Sequence, residues 1–255
     1  MLKRLLKRLF SNSFNNPLLI EFYATSIGNQ NLVKLLKYHK VSKIFDVGAN
    51  TGQYAEALFE VGYTGKIISF EPLTDAHKVL LQKKKKNKNW QIAERCAVGE
   101  QDKEISINIS DNLVSSSILP MVDEQVKYEQ GTRYIGNETV QMFKMDTIYP
   151  KYIENNDVLF LKMDVQGYEK YVLMGSEKLL GLLTGIQLEC SLVPLYQGEM
   201  LFIDTIRDLA SKGFTLYEII PGISDHKFSG RLLQVDCIFF KDKSPGEETK
   251  NDSLL

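Results

Sequence analysis

The stretch Ile44–Gly52, with the sequence IFDVGANTG, decides how the chain is interpreted. Its first half has the short apolar character of a β-strand, and Gly48 lets the chain turn tightly at the strand end because glycine has no Cβ to clash. Gly52 lets the following helix begin close to a bound ligand. The stretch therefore predicts a strand, a turn and a helix arranged around a small molecule.

The glycine spacing indicates which ligand this turn suits. A dinucleotide-binding turn has the pattern G-x-G-x-x-G, in which the middle glycine makes room for a pyrophosphate. Here the pattern is G-x-x-x-G, and Ala49 and Asn50 occupy that place. The turn therefore favours a cofactor without phosphates and disfavours an NAD-dependent oxidoreductase.

Two acidic residues complete the predicted ligand site. Glu71 ends the second predicted strand, about 20 residues further on, where a carboxylate can accept both hydroxyls of a ribose. Asp46, at the end of the first strand, adds a negative charge suited to an ammonium or sulfonium group. An adenosine that carries a cationic methionine fits both residues, whereas Glu71 would repel the 2′-phosphate of NADP.

Around this stretch, short apolar strands alternate with helical segments, which predicts an α/β fold with a mostly parallel sheet and helices on both faces. The most apolar strand, Val158–Met163, is expected near the centre of the sheet. The other expected strands are Lys43–Val47, Lys66–Phe70, Trp90–Val98, Ile105–Ile109, Val140–Met145, Gly185–Cys190 and the closing hairpin Phe214–Ile220 with Val235–Phe240. Helices are expected at Gln53–Val61, from Thr74 as N-cap, from about Tyr168 and at Leu201–Ser211.

The length of 255 residues suits one α/β domain with short extensions. We expect an N-terminal helical extension over residues 1–40, a main domain over 41–243 and a charged, disordered tail over 244–255. The segment Ser110–Asn137 is polar and shows no clear period. Such a segment inside a domain is usually functional or mobile, so we expect it to cover the acceptor.

Composition limits the partners. Lys plus Arg (31) nearly balances Asp plus Glu (32), so no field points to nucleic acid, and none is expected as a partner. The three cysteines lie far apart, which favours a reducing, cytoplasmic setting. Residues 1–10 alternate Leu with Lys and Arg; they fit either peripheral membrane contact or a frayed terminal helix. The oligomeric state is left open.

Four groups of residues resemble the FkbM family of methyltransferases, and the resemblance runs from about Lys43 to Lys241. The groups are Phe45–Gly52 with Phe70–Pro72; Ala97–Gly99 with Ser115–Ile118 and Met145–Ile148; Leu161–Glu169 with Val172–Gly175; and Val235–Phe240. Many methyltransferases share the first group. The third, LKMDVQGYE, is the specific one.

The resemblance implies a Rossmann-like class I methyltransferase sheet of seven strands, with its third strand pair reversed at one edge. It also implies S-adenosylmethionine as methyl donor and a hydroxyl as acceptor. The residues implied at the methionine end are Asp46, Gly48, Asn50 and Gly52, with Glu71 at the ribose and Ala97 and Val98 beside the adenine. One position departs from the family, whose members commonly have Glu where this chain has Gln166.

A hydroxyl is a poor nucleophile, so a base or a divalent metal should assist its deprotonation. Asp164 follows the predicted central strand, where open α/β sheets place their ligands, and it is our first candidate for base or metal ligand. Lys162 precedes it by two residues on the same strand face and can set its charge state. Glu189 closes the next strand and can reach the same crevice. Alternatively, Asp164 only caps a helix, and Lys162–Asp164 is a structural ion pair.

Two function classes follow. The first is an enzyme that methylates a hydroxyl of a small molecule or saccharide, with polysaccharide or glycolipid biosynthesis as one setting. The second is a catalytically weakened cofactor-binding or scaffold protein on the same fold, and Gln166 motivates it, since activity is altered if the family's Glu acts as base or ligand.

Overall fold

A computed structural model describes residues 17–112, 115–122, 132–225 and 229–242 of the chain. Side chains are described from residue 27 onward, except that of Lys86. The predicted membrane-contacting segment 1–10 and the predicted tail 244–255 lie outside the described residues.

The elements follow one another in alternation. The α-helices are α1 Pro17–Tyr38, α2 Gln53–Glu60, α3 Thr74–Lys83, α4 Met145–Ile148, α5 Glu169–Met174, α6 Glu177–Leu182 and α7 Phe202–Ser211. The strands are β1 Lys43–Val47, β2 Lys66–Phe70, β3 Trp90–Ile92, β4 Ala97–Val98, β5 Lys103–Ser110, β6 Tyr134–Phe143, β7 Leu159–Met163, β8 Leu183–Ser191, β9 Phe214–Pro221 and β10 Gln234–Lys241. Short 3₁₀ turns extend α3 over Lys84–Lys86 and α4 over Tyr149–Lys151.

The main sheet has seven strands in the order β3-β2-β1-β7-β8-β10-β9. The first five are parallel to their neighbours, and β10 runs antiparallel to both β8 and β9. The sheet therefore ends in a reversed pair at one edge, and the predicted Rossmann-like class I methyltransferase fold is confirmed. The strand order changes direction between β1 and β7, and open α/β sheets bind ligands at the carboxyl ends of strands at such a point.

The core lies on both faces of the main sheet, because successive side chains of a strand point to opposite faces. In β1, Ile44 belongs to a buried cluster that includes Leu36 of α1 and Leu58 of α2. Phe45, the next residue, belongs to a second cluster that includes Val172 of α5. The helix α1 thus covers one face of the sheet with its C-terminal half. Among the described residues, no helix is long and apolar enough to cross a membrane.

A second sheet of three strands, in the order β4-β6-β5, lies apart from the main one. It corrects the predicted single strand Trp90–Val98, whose first part pairs with β2 while Ala97–Val98 pairs with β6. The chain bends between them, where the Arg95 guanidinium donates to Pro72 O and to Glu138 Oε1, both at 2.7 Å. The sequence pattern shows strand character but not which sheet a strand joins, so the change of sheet could not be predicted.

The start of α3 also differs from the prediction. The helix begins at Thr74, and Leu73, which has no side-chain acceptor for a cap hydrogen bond, occupies the N-cap position. The Thr74 hydroxyl donates instead to the carboxylate of Glu138 on β6. The predicted N-cap at Thr74 is therefore wrong: the His77 N–H donates to Leu73 O at 2.9 Å, so the helical bonding begins one residue earlier and Thr74 is already inside the helix.

Candidate functional site

A cavity of about 210 Å³ opens at the carboxyl edge of the main sheet, where β1 and β7 lie side by side. The turn after β1, the end of β2, the end of β7 and the small sheet all contribute to its wall. The predicted site residues among its lining are Gly48, Asn50, Glu71, Ala97, Val98, Lys162 and Asp164. Asp46, Gly52 and Glu189 are not part of that lining.

Gly48 forms the tight turn after β1. Its φ is +75°, and a Cβ placed there would lie 1.8 Å from the backbone oxygen of Asp164. Any side chain would thus collide with the backbone of the neighbouring strand end. Gly48 is required both by its left-handed conformation and by the close approach of β1 and β7.

Gly52 has a different task from the one that the sequence suggested. Its φ is +91°, and a Cβ there would lie 2.4 Å from Cη2 of Trp90. The absent side chain makes room for the indole ring of β3, not for the cavity. Gly52 therefore sets how closely α2 packs on the sheet.

Glu71 and Asn50 are joined across the mouth of the turn. The Asn50 N–H donates to Glu71 Oε2 at 2.8 Å, and the Leu73 N–H donates to Oε1 at 2.8 Å. Burial raises the pKa of the Glu71 carboxyl to about 7, although both N–H groups oppose the rise. The carboxyl group lines the cavity with its position fixed from two sides.

The small sheet and its loop form the opposite wall. Ala97 and Val98 of β4 line the cavity together with Cys96, and Ile107 of β5 adds apolar surface. Sequence reasoning missed Ile107 because its strand showed only alternation. The loop residues Ser116–Ile118 also line the cavity; the family resemblance contained them, and the predicted acceptor-covering segment includes them.

Asp46 lies beneath the cavity floor and is fully buried. Its Oδ2 accepts a hydrogen bond from Ser69 Oγ at 2.8 Å, and its Oδ1 lies 3.2 Å from Nζ of Lys162. Ser69 Oγ in turn accepts from the indole N–H of Trp90 at 3.0 Å. Oδ1 accepts no hydrogen bond among the described residues, so the carboxylate is linked to the cavity through its ion pair with Lys162.

Lys162 links the two carboxylates that flank β7. Its Nζ lies 3.5 Å from Asp164 Oδ2 and 5.2 Å from the ring centre of Tyr54, which also lines the cavity. Burial opposes the charged form of Lys162, but Asp46 and Asp164 outweigh it and raise its pKa. Lys162 therefore stays protonated and keeps positive charge at the cavity floor. Tyr54 was not predicted, because nothing in its sequence context marks it.

Asp164 combines exposure with fixed partners. Its side chain is 34% exposed, and its Oδ1 accepts from Nε2 of Gln166 at 2.9 Å. It does not cap α5, because Tyr168 occupies the N-cap position and no side chain makes a cap hydrogen bond there. Glu169, the first residue of α5, accepts from the Val165 N–H at 3.0 Å. Burial raises the pKa of Glu169 to about 8. Asp164 is thus the accessible carboxylate at the end of β7.

Glu189 lies behind Asp164 rather than in the cavity wall. Its Oε2 accepts from Nε2 of Gln166 at 2.9 Å and from Nε2 of Gln234 at 3.1 Å. Burial, followed by the charges of Asp164 and Asp236, raises its pKa well above the usual range. Asp236 is its direct cross-strand neighbour, and burial with Asp164 raises the pKa of Asp236 to about 6. These carboxyl groups therefore retain protons to higher pH than exposed ones do.

The metal considered from the sequence finds no support in the described ranges. Within them, no group of three or more His, Cys, Asp and Glu residues is placed to hold a metal ion. The geometry does fit a nucleoside donor: the backbone turn at Gly48 and Asn50, the Glu71 carboxyl group and the apolar wall at Ala97 and Val98 line one cavity.

The sheet order, the glycine turn and the cavity at the carboxyl ends of β1 and β7 define a class I methyltransferase. The family follows from the sequence: the profile described as "Methyltransferase FkbM domain" matches residues 46–216, two thirds of the chain. The chain belongs to this family and is a methyltransferase of the S-adenosylmethionine-dependent type. The resemblance to the FkbM family, noted in the sequence from about Lys43 to Lys241, is thereby confirmed.

Solved structures resemble the chain in fold. A magnesium protoporphyrin IX methyltransferase from Synechocystis with bound S-adenosylmethionine is 12% identical, with a TM-score of 0.45 over 89% of this chain and 85% of that one. An S-adenosylmethionine-dependent methyltransferase from Aquifex aeolicus is 12% identical, with a TM-score of 0.42 over 82% and 88%. An rRNA methylase from Streptococcus thermophilus is 11% identical, with a TM-score of 0.41 over 80% and 88%. Similarity at this level says nothing about the acceptor.

A sequence comparison with curated proteins found no match. The acceptor therefore has to be inferred from the chain's own residues.

Proposed function

We propose that the protein transfers the methyl group of S-adenosylmethionine to a hydroxyl of a small molecule or saccharide. The observation that carries the proposal is the position of Asp164. It is a partly exposed carboxylate in the cavity wall, at the carboxyl end of a central strand, and fixed by Lys162 and Gln166. A carboxylate in such a place can take a proton from a hydroxyl that enters the cavity.

The donor end of the site would use the turn and the small sheet. Glu71 would accept the ribose hydroxyls, Gly48 and Asn50 would border the methionine, and Ala97 and Val98 would contact the adenine. Asp46 would act through Lys162 rather than by direct contact, because the two groups are 3.2 Å apart and Asp46 is buried. Bound S-adenosylmethionine would supply a methyl group carried on a positively charged sulfonium sulfur. After transfer of the methyl group, that sulfur is a neutral thioether.

The protein's residues then have two tasks. They align the acceptor oxygen with the methyl carbon and the sulfur, and alignment of this kind lowers a barrier by removing entropy costs in advance. As the oxygen–carbon bond forms and the carbon–sulfur bond breaks, the electron pair of the latter stays on sulfur. The hydroxyl proton moves to Asp164. Lys162, with its Nζ 3.5 Å from Oδ2, holds that carboxylate in place beforehand.

The experiment has two stages. Isothermal titration calorimetry with S-adenosylmethionine and with S-adenosylhomocysteine is expected to show binding in the micromolar to sub-millimolar range. Methyl transfer from radiolabelled donor is then measured on a panel of free sugars and alkyl glycosides. Absence of binding contradicts the assignment of the cavity. Binding without transfer to any hydroxyl of the panel would favour the alternative, a cofactor-binding scaffold.

The other expectations about partners and compartment stay proposals. We propose a cytoplasmic protein without a nucleic-acid partner, and peripheral membrane contact by residues 1–10 as one option. Co-sedimentation of the full chain with vesicles containing anionic lipid, compared with a chain lacking residues 1–10, tests that contact.

A further inference from the structure

The side-chain amide of Gln166 joins two carboxylates. Its Nε2 donates to Oδ1 of Asp164 and to Oε2 of Glu189, at 2.9 Å in both cases. An amide nitrogen carries two N–H donors, and both are used here. Because both oxygens bond to one nitrogen, they lie within about 6 Å of each other, the range in which like charges repel strongly.

The orientation of this amide is determined by its neighbours. The hydroxyl of Tyr196, which is buried, donates to Oε1 of Gln166 at 2.8 Å. If nitrogen and oxygen were exchanged, the carbonyl oxygen would face two carboxylates. The backbone is held as well, since Ser117 Oγ donates to the Gln166 carbonyl at 2.7 Å. The Tyr196 hydroxyl and the two carboxylates therefore fix the side-chain amide with its N–H groups toward the acids.

The remaining surroundings concentrate negative charge at this point. Asp236 lies opposite Glu189 across the β8–β10 ladder, and Glu169 lies on the helix that follows Gln166. Lys162 contacts Asp164 on its other oxygen, and Gln234 donates to the same Glu189 oxygen as Gln166 does. The bridge between Asp164 and Glu189 is thus made by a neutral amide, at a position surrounded by acidic groups.

We propose that the amide of Gln166 occupies the position of a bridging cation between Asp164 and Glu189, and that it thereby holds Asp164 toward the acceptor. Gln166 is then a positioning residue, and its N–H donors do what a divalent ion bound to two carboxylates would do. The inference rests on the proposed role of Asp164 as proton acceptor. Gln166 is 7% exposed and has a left-handed backbone with φ of +54°, a strained conformation of the kind that functional sites retain.

A gain of metal binding tests this position without any acceptor. Gln166→Glu replaces both donors with a third carboxylate, and three carboxylates suit Mn²⁺ or Mg²⁺. Titration calorimetry with Mn²⁺ on the full chain is expected to show at least roughly tenfold tighter binding by this variant than by the wild-type protein. Equal affinity for the two proteins overturns the proposal.

A matched variant separates position from charge. Gln234→Glu places the same extra charge beside Glu189 but has no contact with Asp164 among the described bonds. It is expected to bind Mn²⁺ no better than wild type. If it gains as much as Gln166→Glu, the added charge alone is sufficient, and the proposal is rejected. Gln101→Glu, on an exposed turn, gives the baseline.

A second replacement keeps the test decisive if Gln166→Glu does not fold. Gln166→Gly suits the positive φ and opens the space between the two carboxylates. It too should bind Mn²⁺ more tightly than wild type, and failure to do so counts against the proposal. S-adenosylmethionine binding is measured in the same samples. Its absence from wild type contradicts the proposed function, whereas the Mn²⁺ comparison still decides the role of Gln166.

Discussion

The cavity has two ends that are built on different principles. At the donor end, the turn after β1 is shaped by backbone: Gly48 has no room for a Cβ, and Glu71 is bonded to two backbone N–H groups. At the acid end, side chains hold side chains, as Gln166 does with Asp164 and Glu189. The first arrangement fixes where a ligand lies, whereas the second fixes where the carboxylate of Asp164 points.

The difference determines how each end responds to change. A side chain added to a packed backbone turn collides with atoms that cannot move, so both folding and binding suffer. A changed carboxylate at the acid end leaves the backbone as it is. Its effect should then appear in turnover rather than in affinity for the donor. Four substitutions, ordered by expected effect, test this contrast.

The largest effect is expected from Gly48→Ala. Its Cβ would lie 1.8 Å from the Asp164 backbone oxygen, so the two strand ends must separate. Strain at a positive φ costs about 1–3 kcal/mol even without a clash. We therefore expect a loss of about 3 kcal/mol or more in the free energy of unfolding, measured by urea titration, and no detectable binding of S-adenosylmethionine by calorimetry.

The control for this substitution is another glycine of positive φ. Gly62 has φ of +92° and no atom within 4 Å of the Cβ position. Gly62→Ala should cost about 1 kcal/mol and leave donor binding unchanged. Equal losses for the two variants would show that the contact with β7 contributes nothing.

Next in size is the effect of Asp164→Asn on turnover. Loss of the proposed proton acceptor is expected to lower kcat by about 10²–10⁴-fold, the usual contribution of a general base. The affinity for S-adenosylmethionine should stay within about threefold, because the amide keeps the shape of the carboxylate. The measurement is methyl transfer to the acceptor found in the hydroxyl panel. Asp75→Asn, at a highly exposed carboxylate paired only with Lys78 among the described contacts, is the control. Unchanged kcat in Asp164→Asn would remove Asp164 from the mechanism.

These two ends were not equally predictable. The donor end could be derived from short sequence spacing, because a strand, a glycine and a strand-end acid are local features with fixed geometry. The main sheet followed for the same reason: β1 and β2 have the predicted bounds, and the closing hairpin lies where it was expected.

The acid end depends on residues far apart in the chain, and their bonds have no sequence signature. Gln166 and Gln234 both bond to Glu189 only because β7, β8 and β10 follow one another in the sheet. The bend after β3 and the hydroxyl of Thr74 escaped prediction for a similar reason, since both depend on contacts with β6. Alternation identifies strands, whereas partner choice is settled by long-range packing.

A smaller effect, with a pH signature, is expected at Glu71. Its pKa in the folded protein is about 7, against 4.5 for the free group, because it is buried. The folded state therefore binds more protons than the unfolded state between these values, and the contribution of Glu71 to stability falls as pH rises through them. Donor affinity should follow the opposite course, because the ionised carboxylate is the better acceptor for ribose hydroxyls.

Glu71→Gln should weaken S-adenosylmethionine binding by about 10–100-fold at pH 8, the value of hydrogen bonds to a charged group. It should also abolish the increase in affinity between pH 6 and pH 8 that wild type shows in calorimetry. Glu94→Gln, an exposed acid near β4, should retain that increase. A wild-type affinity that does not change over this range would mean that the ribose does not contact Glu71.

The smallest effect is expected from Tyr54→Phe, which tests whether a side-chain hydroxyl contributes to donor binding at the end of the cavity shaped by backbone. The Tyr54 hydroxyl donates to Gln187 Oε1 at 3.2 Å. The centre of the ring lies 5.2 Å from Nζ of Lys162. Phenylalanine keeps the ring and removes one hydrogen bond, so we expect a loss of about 1 kcal/mol in stability and less than about a threefold change in donor affinity. Tyr217→Phe, whose exposed hydroxyl bonds to Asp242 at 3.1 Å, is the matched control and should cost less. A tenfold loss of donor affinity in Tyr54→Phe would instead place that hydroxyl in contact with the donor, and the donor end would then depend on side chains as the acid end does.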